Sequence, residues 1–208
     1  NAVLGFAQLM AMDPGEPASP GQQRRLGLMR DAGAHLLRMI SDMLDLTRIE
    51  AGGLALQIEP VALAALARHA VEMVREDADR AQVVLVLQAA DEVTVPADRT
   101  RLLQILFNLL GNAIKYNRPG GRVELRVVRG AGGRTELTVS DTGLGISESD
   151  LPHVFEPFQR GNQAGGRVDG TGIGLAVTRS LVLLMGGTIS ASSVPGAGSV
   201  FSVSLPLA

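Results

Sequence analysis

The sequence predicts an α+β protein: an N-terminal helical hairpin followed by a two-layer α/β sandwich with a mixed sheet. Three observations carry this expectation. Residues 1–51 show only helical periodicity. At Leu54 strand-like alternation begins. Beyond it, strand and helix patterns both alternate and run in pairs, which suits helices on one face of a mixed sheet. The expected boundary divides a hairpin over 1–53 from a second unit over 54–208, and no internal repeat is visible.

Val3, Phe6, Ala7 and Met10 recur at i, i+3, i+4 and i+7, so 1–12 reads as an amphipathic helix. The Pro/Gly/Ser-rich run 13–20 ends it. A long helix over 22–51 follows, with Met29, Leu36, Ile40 and Met43, flanked by Leu37 and Leu44, on its apolar face, and Gly52-Gly53 stops it. Two antiparallel helices cannot bury so long a stripe alone. A second copy is the natural partner, making a four-helix bundle; packing on the chain's own second unit is the alternative. Next come a strand at 54–61, a helix at 63–78, a short buried strand at 83–87 and an extended piece at 93–96. Asp98 then leads into the central helix, 101–117. Strands at 123–128 and 136–139 are joined by a glycine turn. A short helix is expected at 147–155, an aperiodic glycine-rich segment at 156–169 and a helix at 173–185. Strands 188–192 and 200–205 close the chain over Pro195-Gly196.

Composition excludes several classes. The 208 residues are 46% hydrophobic, enough for a sizeable core. A net charge of −2 with scattered basic residues argues against a nucleic-acid footprint or a basic membrane-surface helix. Cysteine is absent, which removes disulfides and thiolate metal sites and fits a reducing compartment. No apolar run reaches bilayer-spanning length, and no signal peptide is expected in the opening residues. The expected location is cytoplasmic, compatible with a membrane anchor in regions outside this sequence. The abrupt start inside a helical pattern suggests a piece of a longer protein.

The central helix carries the functional argument. Leu102, Leu106, Leu109 and Ala113 stack on one stripe, with Leu103, Phe107, Leu110 and Ile114 beside them. A helix so apolar is expected to be buried. Yet Asn108, Asn112 and Lys115 follow at i, i+4 and i+7, with Tyr116 at their border. An unpartnered buried amide costs about 2–7 kcal/mol. Lys115 is the only lysine against eighteen arginines, and Tyr116 the only tyrosine. A compact ammonium suits phosphate as a point charge. The alternative is an ordinary core helix with satisfied amides.

Other constellations are weaker singly. Asp141-Thr142-Gly143-Leu144-Gly145 ends a strand with a carboxylate and two glycines that let backbone approach a ligand; a purine amino group would satisfy the carboxylate. A plain Asp-Gly turn is the alternative. Gly170-Thr171-Gly172-Ile173-Gly174-Leu175 opens a helix, where exposed N–H groups and the dipole favour a phosphate. It is neither a Rossmann fingerprint nor a Walker loop. In the long segment before it, Phe155 and Phe158 are candidate core anchors and Arg160 a candidate for a terminal phosphate; a solvated loop is the alternative. His35, His69 and His153 lack metal-ligand spacing and read as structural or surface residues.

The order of these motifs is more specific than any one of them. NLLGNAIKYN, DTGLG, FEPF and GTGIGL resemble the N, G1, F and G2 boxes of bacterial sensor histidine kinases. NAVLGFAQLM and HLLRMISDMLDLTRIEAG resemble the two dimerisation helices, so the likeness covers essentially the whole chain. The resemblance implies the ATP-binding sandwich shared with gyrase, heat-shock chaperones and mismatch-repair ATPases over 54–208, and a dimerisation hairpin over 1–53. It implies ATP and Mg²⁺ as cofactors. Asn112 is expected to coordinate Mg²⁺ and Asn108 to support the metal and phosphates. Lys115 is expected on phosphate and Tyr116 on the nucleotide. Asp141 is expected to read the adenine amino group, with Gly143 and Gly145 making room. Gly170, Thr171, Gly172, Gly174 and Leu175 form the phosphate cradle, and Arg160 approaches the γ-phosphate. Asn108, Lys115 and Arg160 are the expected catalytic set. A second copy and a response-regulator receiver domain are the implied partners, with the γ-phosphoryl passing to a histidine and then to a regulator aspartate.

Two departures from the family pattern matter. The phosphorylated histidine is expected just upstream of Asn1, and His35 in the second helix does not replace it. The chain as given is therefore expected to bind ATP without phosphorylating itself. Related hydrolytic ATPases place a glutamate where Asn108 stands, and a neutral amide is a poor general base for water. That favours transfer to a protein nucleophile. A hydrolytic ATPase of the same fold, a silent dimerisation scaffold and a core that also dephosphorylates its regulator are the alternatives.

Overall fold

The computed structural model describes residues 5, 9–10, 18–90, 93–159 and 172–207. Most of the helix expected over 1–12 lies outside these; Gly5, Leu9 and Met10 are helical. The long helix α1 (Pro20–Glu50) begins two residues before the expected start, because proline suits the first helical position. Ser19 caps it: its Oγ accepts from the Gln22 amide at 3.4 Å, and Gln22 Oε1 accepts from the Ser19 amide at 2.8 Å. Met29, Leu36, Ile40, Met43 and Leu44 remain about half exposed, so this chain alone does not cover the stripe. Leu46, near the end of α1, differs. It is buried and packs into the core of the sandwich, together with the partly buried Ile49, Leu54 and Leu56. Packing therefore crosses the boundary expected at residue 53.

The strand expected at 54–61 is a ladder only over β1 (Glu59–Ala62), since its antiparallel partner β3 (Thr94–Ala97) offers four rungs. The helix expected at 63–78 divides at Val74 into α2 (Leu63–Met73) and α3 (Arg75–Arg80). β2 (Val84–Ala89) is an edge strand, half exposed instead of fully buried. The central helix α4 (Arg99–Lys115) starts at Asp98, whose Oδ1 accepts from the Arg101 amide at 3.0 Å. β4 (Arg122–Arg129) and β5 (Arg134–Asp141) follow. In place of a helix over 147–155 there is one 3₁₀ turn (Leu151–His153); Pro152 donates no backbone hydrogen bond and Pro157 follows closely. α5 (Gly174–Leu184), β6 (Thr188–Val194) and β7 (Gly198–Pro206) complete the chain.

The main sheet runs β2-β4-β5-β7-β6, with β2 parallel to β4 and the other pairs antiparallel. This is the mixed sheet expected. Period-2 alternation sends Val123, Leu125, Val127, Leu137, Val139 and Val203 to one buried face. α4 and α5 cover that face with Leu102, Ile105, Leu106, Leu109 and Leu181, all fully buried. The register Val139↔Phe201 and Val123↔Asp141 places Asp141 on the same face, one step beyond the last core residue of β5. A carboxylate there looks toward the helix layer from the rim of the core. Among the described residues, no helix is long and apolar enough to cross a membrane.

Candidate functional site

Three segments converge at the C-terminal half of α4. The first is α4 itself, where Asn108, Asn112 and Tyr116 are half-buried and Lys115 is exposed. The Lys115 ammonium lies 5.1 Å from the Tyr116 ring centroid, within cation–π range. The second is the loop after β5, held by a bond from the Leu144 amide to the Tyr116 carbonyl at 3.0 Å. The third is the start of α5, gripped by Asn108: its Nδ2 donates to the Gly174 carbonyl at 3.2 Å and to Thr178 Oγ1 at 3.3 Å. These bonds commit the nitrogen of the Asn108 carboxamide to protein and leave Oδ1 as its acceptor. One turn on, no hydrogen bond among the described residues engages the Asn112 carboxamide, and the side chain is not sealed. The polar stripe is thus neither a set of satisfied core amides nor fully solvated.

Asp141 is half-buried. Burial pushes its carboxyl above the ordinary aspartate value, opposed by the backbone amides of Gly143 and Ser199. The Gly143 amide donates to Oδ1 at 2.8 Å. Asp141 also lines a cleft of about 270 Å³ with Ser193, Val194, Ala197, Gly198 and Ser199 of the β6–β7 hairpin.

The glycines act first on protein. A Cβ on Gly143 would strike the Tyr116 carbonyl and lie 2.9 Å from Asp141 Oδ1. Gly145, at φ +70°, faces the Val194 carbonyl so closely that no side chain fits. The Asp-Thr-Gly-Leu-Gly loop is thereby bolted between the end of α4 and the β6–β7 hairpin, where the Gly196 amide donates to the Leu144 carbonyl at 2.7 Å. At the start of α5, a Cβ on Gly174 would lie 3.4 Å from Asn108 Oδ1, and the side chain of Leu175 is partly buried against the core. Gly172 (φ +69°) closes on Phe158 and Gln159, and the Phe158 amide donates to the Gly172 carbonyl at 2.9 Å.

Other expectations fare unevenly. Arg160, Gly170 and Thr171 lie outside the described residues. Phe155 is an anchor, meeting Phe201 edge-to-face at a centroid distance of 6.3 Å. Phe158 is not: it is 62% exposed, because its backbone turns to φ +63° to reach Gly172. His153 pairs on the surface with Glu156 at 2.8 Å, which lowers the Glu156 pKa. Two contributors escape sequence reasoning. Thr178 is fully buried yet polar, and its one signal is its place four residues after Gly174 on an apolar helix. Gly198 (φ +120°) presses on the Asp141 carbonyl, a contact between strands distant in sequence.

Comparison with known proteins decides the lineage. Residues 97–208 match the model of the histidine kinase-, DNA gyrase B- and HSP90-like ATPases, and residues 1–52 match the His kinase A phospho-acceptor domain. The chain belongs to the sensor histidine kinase family. The circadian input-output histidine kinase CikA of Synechococcus elongatus is 42% identical over 98% of this chain, which spans 28% of CikA. Full-length ShkA, solved in complex with AMPPNP, superposes with a TM-score of 0.80 at 31% identity, over 99% of this chain and 42% of ShkA. The mycobacterial sensor histidine kinase MprB matches with a TM-score of 0.65 at 30% identity, over 72% of this chain and 98% of that structure. The family fold accounts for the site's placement: an α4 stripe, a strand-end carboxylate and a glycine-opened helix meet at one edge of the sandwich.

Proposed function

We propose that residues 54–208 bind Mg-ATP and deliver its γ-phosphoryl to a protein histidine, within a homodimer formed through the hairpin of residues 1–53. The half-buried Asn112 carboxamide, open beside an Asn108 whose nitrogen is already committed, carries this reading. Asn112 then holds magnesium through its oxygen, supported by Asn108 Oδ1, since amide oxygens suit that hard cation. Asp141 accepts a hydrogen bond from the adenine amino group, which relieves the desolvation of its carboxylate. Lys115 contributes positive charge at the phosphates and Tyr116 packs on the nucleotide. Gly172, Gly174 and Leu175, with Gly170 and Thr171, shape the phosphate cradle, and Arg160 approaches the γ-phosphate. When bound, magnesium neutralises phosphate charge as the phosphoryl leaves. The chain's residues orient the donor and keep a base away from water: the Asn108 amide cannot deprotonate a water molecule. The half-exposed stripe of α1 supports a second copy as its cover. A response-regulator receiver domain takes the phosphoryl onward, and the protein works in the cytoplasm.

The test is a calorimetric titration of the 208-residue chain with Mg-ATP, in parent and Asn112→Ala forms. The parent binds, and the variant weakens by about tenfold or more, the factor carried by a lost interaction with a charged partner. Equal affinity of the two proteins refutes the reading.

A further inference from the structure

The polar stripe of α4 does not begin at Asn108. One turn earlier stands Gln104, and at the helix start Arg101. They meet Asp45 of α1. Arg101 Nη1 donates to Asp45 Oδ2 at 2.7 Å, and Gln104 Nε2 donates to the same oxygen at 3.0 Å. Arg101 also donates to Gln104 Oε1 at 2.9 Å, so the three side chains close on one another. The Asp45 side chain is only 8% exposed, on a helix whose apolar stripe lies open. A leucine would adhere there at less desolvation; the physical use of a buried ion pair is to fix register. The first two turns of α4 present a guanidinium and an amide together to this carboxylate.

A second bond pins the chain again nearby. Asp98 caps α4 through Oδ1, while its Oδ2 accepts from the Gln57 amide at 3.0 Å. The segment leaving Asp45 turns at Gly52 (φ +66°) and returns to the same helix start at Gln57. It is therefore tethered at both ends to α4, with Leu46 packed into the core between them. The end of α1 cannot shift along α4 while both bonds hold.

We propose that Asp45, Arg101 and Gln104 form a latch that sets where the sandwich stands against the long helix. α4 then serves two contacts from one rigid rod: a hairpin carboxylate at its N-terminal end and the nucleotide at its C-terminal end. With a rise of 1.5 Å per residue, Gln104 and Asn112 are about 12 Å apart along the axis, so the latch acts on placement without touching the nucleotide.

The latch itself needs no nucleotide; only its independence from nucleotide binding rests on the proposed function. Asp45→Asn keeps the shape and an acceptor but removes the charge, and Arg101→Met removes the strongest donor. Hydrogen exchange followed by mass spectrometry on the 208-residue chain tests both. Amides over 42–57 are expected to exchange faster by about tenfold or more in each variant, while those of β4 and β5 keep the parent's protection. The double variant is expected to exchange no faster than the faster single, because both remove one shared contact. Mg-ATP affinity stays within about twofold of the parent, as expected for sites this far apart. Unchanged exchange over 42–57, rates that multiply in the double variant, or a loss of affinity equal to that of Asn112→Ala each overturns the latch. A parent that binds no Mg-ATP overturns the nucleotide reading instead, and the exchange data still judge the latch.

Discussion

Replacing Asp141 by asparagine should move nucleotide affinity and fold stability in opposite directions. At neutral pH the carboxylate is charged and half-buried, and burial holds its pKa above 3.8 against the pull of the Gly143 and Ser199 amides. The folded, nucleotide-free protein thus binds this proton more tightly than the unfolded chain. Its stability falls as pH rises from the ordinary aspartate range through the raised folded value, and that penalty is fully present at pH 7. Asparagine has no charge to desolvate, and its Oδ1 still accepts from the Gly143 amide, now at 2.8 Å. The nucleotide-free variant should therefore melt at or above the parent at pH 7, with this part of the acid dependence gone. Binding is another matter. An asparagine offers the adenine amino group at best a neutral acceptor in place of an ionised one. The loss of a hydrogen bond to a charged group is worth about 1.5–3 kcal/mol, or roughly 10- to 150-fold in Kd for ATP. Thermal denaturation across pH 4–8, together with calorimetric titration with Mg-ATP, reads both effects. A variant that binds ATP within twofold of the parent refutes the adenine contact. One that melts well below the parent at pH 7 refutes the desolvation argument.

Three further outcomes follow from the packing. Gly143→Ala drives a methyl into the Tyr116 carbonyl, so the loop after β5 must lift from α4. It should destabilise by about 1–3 kcal/mol in denaturant titration and weaken Mg-ATP binding with it. Leu106→Ala empties a site with no exposure at the centre of the core. The expected loss is about 2–5 kcal/mol, read as a lower denaturation midpoint with an unchanged slope. Thr178→Val removes the oxygen that accepts from Asn108 Nδ2 while keeping the volume. The cost should be about 1–3 kcal/mol of stability and a weaker magnesium dependence of ATP affinity, both recovered in Thr178→Ser; a valine variant equal to the parent in both measurements removes Thr178 from the site.

Much of this protein is written in local pattern. Hydrophobic periodicity located α4, α5 and the paired strands because burial on one face forces a period on the sequence whatever the surroundings. The long helix was legible from its stripe and its glycine stop. The candidate site residues Asn108, Asn112, Lys115 and Asp141 stood out because polar groups on apolar elements, and a lone lysine, are chemically conspicuous. Element lengths and exposure depend instead on partners distant in sequence. β1 is four residues long because β3 is, and β2 is half exposed because it became an edge. Phe158 turned outward because Gly172 holds its backbone.

The sequence by itself determined the fold class, the order of elements and the polar stripe of α4, since each depends on spacing along one segment. Only the tertiary structure decided how that stripe is shared. Asp45 and Arg101 lie 56 positions apart, and Asn108 and Thr178 lie 70 apart. No periodicity links such pairs; they meet because the chain folds back through a two-glycine turn and a five-stranded sheet. The same holds for the glycines after Asp141. Their presence was visible, but the fact that they admit the Tyr116 and Val194 carbonyls depends on atoms brought close only by folding.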